Sequence, residues 1–238
     1  MKKHIPNIIT LSNQMCGIIA AIFAYNYDFR LALLFVVCGA LFDFCDGASA
    51  RLLKVQSPMG KELDSLADMI TFGLVPGIVA FRLLSPLASV FIFIPYFGFL
   101  ITLFSALRLA KFNIDSRQTS SFLGLATPAN ALFWLGLANL QSFNDWSLFL
   151  CSLICRDFDI LMILCWTILA LVVLTSLLLV SEIPMFSLKF HNFRFRENWV
   201  RFVFLALSLL FLIVFHESGL VFVILLYIIM SITLRRWC

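Results

Sequence analysis

The chain has 238 residues, 62% of them hydrophobic and 13% charged, with a mean hydropathy of +1.03 and a formal net charge of +4. Soluble domains are about 45–50% apolar, so the remainder here cannot cover a water-facing surface, and a soluble globular domain is excluded. The modest positive balance suits contact with anionic lipid headgroups and gives no ground for a nucleic-acid partner.

Eight apolar stretches are predicted as spans, at 7–25, 32–54, 61–82, 88–112, 126–142, 159–180, 200–216 and 218–235. Each is near the length that crosses a hydrocarbon core about 30 Å thick. The expected fold class is therefore all-α, a polytopic integral membrane helix bundle with eight transmembrane helices. The first span lacks a small-residue cleavage site followed by a polar region, so it is not read as a cleavable signal. The second and third spans carry aspartates and are joined by a short segment containing Ser57, Pro58 and Gly60. The fourth runs into the polar loop 113–127, and the fifth is diluted by Asn130, Asn139 and Gln141.

After the sixth span, residues 189–201 (KFHNFRFRENWVR) interleave Lys and Arg with aromatics, a pattern suited to a headgroup layer. Only His216, Glu217 and Ser218 separate the last two spans, which predicts a tight helical hairpin. No stretch is long and polar enough for a soluble second domain. The expected organisation is a membrane domain over 1–190, followed by a juxtamembrane linker and C-terminal hairpin over 191–238. Neither an internal repeat nor an inverted pair of broken helices is visible.

Charge sets the orientation. With the N-terminus inside, the cytoplasmic side receives Lys2, Lys3, Arg51, Lys54, Lys61, Arg108, Lys111, Arg117, Lys189, Arg194, Arg196, Arg201, Arg235 and Arg236. The far side keeps only Arg30, Arg82 and Arg156. This bias predicts a multi-pass protein of the cell inner (cytoplasmic) membrane with a cytoplasmic N-terminus. The seven cysteines include no C-x2-C pair and no His at ligand spacing, so a zinc site is not expected. Cys151 and Cys155, four apart, are read as small buried hydrophobes, with a disulfide conceivable.

Four aspartates fall in one window, in the pattern D-x2-D-G-x2-A-R-x8-G-x3-D-x3-D formed by Asp43, Asp46, Gly47, Ala50, Arg51, Gly60, Asp64 and Asp68. A carboxylate at membrane depth costs about 2.5–3.5 kcal/mol on insertion scales, so such a cluster marks function. Asp43 and Asp46 are three apart and Asp64 and Asp68 four apart, so each pair shares a helix face. If spans two and three return antiparallel, four carboxylates converge. Divalent cations would relieve their repulsion, and hard Mg2+ or Mn2+ prefers such oxygens. Two such ions suit in-line displacement at phosphorus. Gly47, Ala50 and Gly60 leave room against the backbone for a nucleotide, and Arg51 offers a fixed cation to a phosphate. One carboxylate could serve as general base for a hydroxyl.

The string from Asp43 to Asp68 resembles the signature of the CDP-alcohol phosphotransferase family, without departure at a defining position. The resemblance implies a core of six transmembrane helices, a homodimer, and a dimetal site on Asp43, Asp46, Asp64 and Asp68. It implies that Asp68 is the base and that Gly47, Ala50, Arg51 and Gly60 line the cytidine diphosphate pocket. The implied reaction moves a substituted phosphate from a CDP-linked donor to an alcohol and releases CMP.

Other segments resemble the serine-using bacterial and archaeal branch of the family, which implies CDP-diacylglycerol as donor and L-serine as acceptor. These segments are Pro6 to Asn13 with Cys16-Gly17, Ala106 to Asn113, Phe122 to Ala129, and Ser181 to Lys189. Asn7, Thr10 and Asn13 keep a three-residue spacing; they either face the nucleotide or act as ordinary caps at the start of a span. Ala126 and Asn130 depart from that branch's usual proline and small apolar residue. Arg108 and Lys111 are candidates for the serine carboxylate, or else positive-inside anchors. The rival readings are a related enzyme using another alcohol, such as glycerol phosphate, and a divalent-cation transporter.

Overall fold

A computed structural model of the protein describes residues 4–55, 57–89, 91–114, 122–140, 158–185 and 195–233, and these are almost entirely helical. Helix α1 (Ile5–Tyr25) places Pro6 in its first turn, where a missing N–H costs nothing. Helix α2 (Phe29–Leu53) is capped by Asp28, whose carboxylate accepts from Leu31 N at 3.1 Å. It stops at Lys54, which takes a left-handed conformation at φ 52°. Helix α3 (Pro58–Asp68) opens on a Ser57 cap that accepts from Gly60 N at 3.0 Å. The short link and its caps therefore turn α3 straight back beside α1 and α2.

From Asp68 the chain continues without a break through a π-helical segment, Met69–Leu74, into α4 (Val75–Leu84). The cause is Pro76, which has no N–H to give the carbonyl one α-turn behind it. The Thr102 hydroxyl donates to the Gly73 carbonyl at 3.1 Å, so a polar group in this segment is satisfied from a neighbouring helix. Two 3-10 turns, Ser85–Ser89 and Ile94–Phe99, lead into α5 (Leu100–Ile114). Then follow α6 (Thr127–Leu140), α7 (Phe158–Val180), α8 (Phe195–Phe215) and α9 (Gly219–Thr233). The only sheet among the described residues is a two-residue antiparallel pair, β1 (Phe122–Leu123) with β2 (Pro184–Met185). It joins the entry of α6 to the exit of α7. Gly124 N donates to Ile183 O at 2.9 Å and Leu125 N to Leu178 O at 3.0 Å, which fastens the same corner.

Among the described residues, six helices are long and apolar enough to cross a membrane: Ile5–Tyr25, Phe29–Leu53, Pro58–Ala88, Ile94–Ile114, Met162–Val180 and Asn198–Thr233. The difference from the eight predicted spans has two sources. The last of the six contains both α8 and α9, bent by the 3-10 turn His216–Ser218. The predicted fifth span is described only over Thr127–Leu140, where Trp134, Leu135 and Ala138 are fully buried. Residues 141–157 lie outside the described residues, and so does the Cys151 and Cys155 pair.

Helices α8 and α9 meet at the 3-10 turn His216–Ser218 and pack on each other, with Phe204 against Tyr227. Gly219 makes this possible, since a Cβ there would lie 2.5 Å from Phe211 O. At that end of the bundle Arg30 Nε donates to Glu217 Oε1 at 2.8 Å, and Arg82 stacks over the rings of Tyr25 and Tyr27. These groups sit at the opposite end of α2 from Asp43 and Asp46. The core draws on α1, α2, the π-helical segment, α4, α5, α6, α7 and α9, around Phe72, Trp134, Ile101 and Val172. Large apolar side chains such as Leu209 and Ile213 on α8 point outward, 61% and 64% exposed, as lipid-facing residues do. The chain is an all-α, polytopic membrane protein.

Candidate active site

The aspartates converge as their spacing predicts. Asp43 and Asp46 occupy the second half of α2, and Asp64 and Asp68 the second half of α3. Carboxylate oxygens of Asp43, Asp64 and Asp68 all lie within 4.8 Å of one another. Asp46 is set slightly apart and buried, and its Oδ2 accepts from Thr10 Oγ1 at 2.5 Å. Such a short contact to a carboxylate is charge-assisted.

A second hydrogen-bonded layer orients Asp68. Thr71 Oγ1 donates to Asn13 Oδ1 at 2.8 Å, which leaves Asn13 Nδ2 free to donate to Asp68 Oδ1 at 3.4 Å. Close helix packing makes this possible: a Cβ on Gly17 would sit 2.4 Å from Thr71 Oγ1, and one on Gly39 would sit 2.8 Å from Asn13 Oδ1. Thr10 and Asn13 are thus interior to α1, whose N-cap is His4, and they do not cap the span. Each donates a side-chain hydrogen bond to an aspartate, Thr10 to Asp46 and Asn13 to Asp68.

Beside the cluster opens a cavity of about 500 Å³. Pro6, Asn7 and Thr10 of α1 line one wall, and Asp46, Gly47 and Ala50 of α2 line another. The link and α3 close it with Val55, Ser57, Pro58, Gly60, Lys61 and Asp64. Gly47 has nothing within 4 Å of where its Cβ would be, so no protein group requires a glycine there. At Gly60 a Cβ would come within 3.1 Å of Ser57 Oγ and 3.4 Å of Asn7 Oδ1, so bulk there would press on the wall.

Four predicted site residues stand elsewhere. Arg51 is exposed on the last turn of α2 and is not part of the cavity wall. Arg108 is buried on α5, donates from Nη1 to Thr127 Oγ1 at 3.3 Å, and lies within electrostatic reach of Asp68. Lys111, one turn further along, is exposed. Asn13 is fully buried behind Asp68.

The cation facing the cavity is Lys61, which the sequence reading assigned only to topology. Its Nζ also donates to Asn113 O at 3.2 Å, tying α3 to the end of α5. Its position directly after Gly60 was the available signal. Thr71 was missed as well, since nothing in its own surroundings in the sequence links it to Asn13.

The residues fit a divalent cation. Three carboxylates supply hard oxygen ligands at metal-ligand spacing, and Asp64 Oδ1 is buried without any hydrogen-bond partner. Leaving such an oxygen unsatisfied is costly, and a bound cation would satisfy it. The donor set suits Mg2+ or Mn2+ over softer metals.

Residues 3–155 match the family model described as CDP-alcohol phosphatidyltransferase. Curated relatives carry the name CDP-diacylglycerol–serine O-phosphatidyltransferase. The one from Bacillus subtilis (strain 168) is 38% identical over 131 residues, which is 53% of this chain and 70% of the relative. One from Helicobacter pylori (strain ATCC 700392 / 26695) is 34% identical over 137 residues, 53% of this chain and 54% of the relative. One from Saccharomyces cerevisiae (strain ATCC 204508 / S288c) is 30% identical over 151 residues, 57% of this chain and 53% of the relative. The chain thus spans about half the length of the latter two.

Proposed function

Because the chain belongs to the CDP-alcohol phosphatidyltransferase family, we propose that it transfers the phosphatidyl group of CDP-diacylglycerol to the hydroxyl of L-serine, giving phosphatidylserine and CMP. The observation that carries this is the convergence of Asp43, Asp64 and Asp68 beside a cavity open to the ends of α1, α2 and α3. The relatives named for the serine reaction support the choice of alcohol.

In this reading Asp43, Asp46, Asp64 and Asp68 hold two divalent ions, Mg2+ or Mn2+. The ions, when bound, would neutralise charge on the diphosphate. Asn7, Thr10, Gly47, Ala50 and Gly60 contact the cytidine diphosphate, with Lys61, in place of the outward-facing Arg51, as the phosphate-facing cation. Asn13, through its bond to Asp68, keeps one carboxylate oxygen fixed and the other aimed at the acceptor. Asp68 accepts the serine hydroxyl proton. The serine oxygen then bonds to the lipid-side phosphorus, the bond from that phosphorus to the bridging oxygen breaks, and CMP leaves with the bridge. Arg108 takes the serine carboxylate, and the exposed Lys111 contributes charge near the entrance.

The donor's acyl chains would enter from the bilayer. The location is a cell inner membrane with the site on the cytoplasmic side, as the charge asymmetry implies. The reacting bundle falls in residues 1–190, residues 191–238 append the linker and hairpin, and the chain works as a homodimer.

The test is CMP release by the purified protein in detergent with CDP-diacylglycerol, comparing serine, glycerol-3-phosphate and inositol, with and without a chelator. Serine-dependent release that needs Mg2+ or Mn2+ and is lost in Asp68→Asn is the expected result. Release with another alcohol would replace serine, and release that survives Asp68→Asn would remove it as the base.

A further inference from the structure

Behind Asp68, between α5 and α6, lies a second polar group of side chains that the aspartate site leaves unused apart from Arg108. Ser105 and Arg108 stand one turn apart on α5, and Thr127 and Asn130 one turn apart on α6. All four are buried, Ser105 and Asn130 completely. The hydrogen bond from Arg108 Nη1 to Thr127 Oγ1 joins the two helices at this level. Four buried atoms here have no hydrogen-bond partner: Ser105 Oγ, Arg108 Nε, Asn130 Nδ2 and Asn130 Oδ1. Native interiors leave few such atoms, so a cluster of them calls for a ligand or ordered water.

The place is next to the chemistry. A Cβ on Gly73, five residues after Asp68, would lie 3.1 Å from Ser105 Cβ, and α6 packs against the same π-helical segment. Helix α9 packs on α6 and brings Tyr227 to the edge of the main core. Charge and hydrogen-bond inventory select the ligand. A guanidinium takes a carboxylate, and a neutral amide offers one acceptor for an ammonium together with donors for a carboxylate oxygen.

We propose that Asn130 and Arg108 together form the subsite for the amino-acid half of a zwitterionic acceptor, with Asn130 as the residue that recognises its ammonium group. This rests on the serine reading. The acceptor's carboxylate lies on Arg108 and on Asn130 Nδ2, its ammonium donates to Asn130 Oδ1, and its hydroxyl reaches Asp68. The amide is unsatisfied in the free protein because its partner is the substrate.

The experiment uses the full chain in detergent with CDP-diacylglycerol and Mg2+ or Mn2+, comparing the unmodified protein with Asn130→Ala and Asn130→Ser. Serine KM is measured alongside donor KM, with inhibition by 3-hydroxypropanoate, which keeps the carboxylate but lacks the ammonium. Asn130→Ala should raise serine KM about tenfold or more, the equivalent of one lost buried hydrogen bond to a charge. Its donor KM and its inhibition by 3-hydroxypropanoate should move much less. Asn130→Ser, which keeps an acceptor, should fall between, and serine should raise the melting temperature of the unmodified protein more than that of Asn130→Ala.

An unchanged serine KM in Asn130→Ala, while the unmodified protein makes phosphatidylserine, would overturn the subsite alone; the amide would then hold only water. Equal losses for serine and donor in both variants would also overturn it, by showing a structural role. An unmodified protein that accepts only an alcohol without an amino group would overturn the serine reading and the subsite together.

Discussion

Gly47→Ala separates what the fold needs from what the ligand needs. Gly47 lies within α2, seven residues before its left-handed stop, and forms part of the cavity wall. A methyl there meets no protein atom within 4 Å, so it adds no steric cost to the free protein. Replacing a glycine inside a helix by alanine gains about 0.5–1 kcal/mol. For a domain of this size that corresponds to a rise of about 2–4 °C in melting temperature per kcal/mol. The same methyl projects into the cavity of about 500 Å³ that is assigned to cytidine diphosphate. Crowding a fitted contact by one carbon costs about 1–3 kcal/mol, or roughly 5- to 150-fold in kcat/KM for CDP-diacylglycerol. Thermal unfolding in detergent and a donor titration by CMP release give the two numbers. A more stable protein with normal donor kcat/KM would show that the nucleotide does not lie against Gly47. A less stable protein would show that the helix surface there is already covered.

Two further substitutions probe the supports. Thr10→Val keeps the shape and removes the hydroxyl that donates to Asp46 Oδ2 at 2.5 Å; loss of an orienting partner costs about 10–100-fold in metal affinity. The midpoint of an Mg2+ or Mn2+ activation curve should therefore shift upward by that amount, and an unmoved midpoint would dissociate Asp46 from the metals. Gly124→Ala should lower the melting temperature markedly. Gly124 has φ +73°, and a Cβ would lie 2.7, 2.8 and 3.1 Å from the carbonyl oxygens of Leu179, Ser181 and Leu178. Strain of this kind costs about 1–3 kcal/mol before any clash is counted, and a stable variant would mean that the β1–β2 corner does not fix α6.

The parts of the site visible in the sequence are those governed by helical period. Spacings of three and four on two helices joined by a short capped link leave few places for Asp43, Asp64 and Asp68 except together. Period also explains where the sequence reading put a side chain in the wrong place. Ala50 and Arg51 sit side by side in the motif, yet one residue is about 100° around a helix, so Ala50 faces the cavity and Arg51 faces outward. Lys61 was hidden by the opposite error, because its charge was absorbed into the count that set orientation. The partnership of Thr71 with Asn13 depends on the closeness of three helices at Gly17 and Gly39, and no local pattern reports that distance. Asn130 was visible as a polar residue diluting the fifth span, but its lack of partners became visible only in the packed bundle.

The π-helical segment at Met69–Leu74 has a consequence for how this chain tolerates changes of length. One residue more than an α-turn would hold is stored between Asp68 and Pro76, directly after the last aspartate. Removing a single residue there would let the backbone close into ordinary α-helix, so span three would survive as a helix. Both sides would also keep nearly their present faces, because the wide turn already winds about one residue less than α-helix does. The same deletion in an α-helical part of the span would turn one side about 100° against the other and swing Asp64 and Asp68 away from Asp43. The segment is a reserve of slack, the one stretch of this span where a residue can be lost without moving the aspartates out of phase with the bundle core.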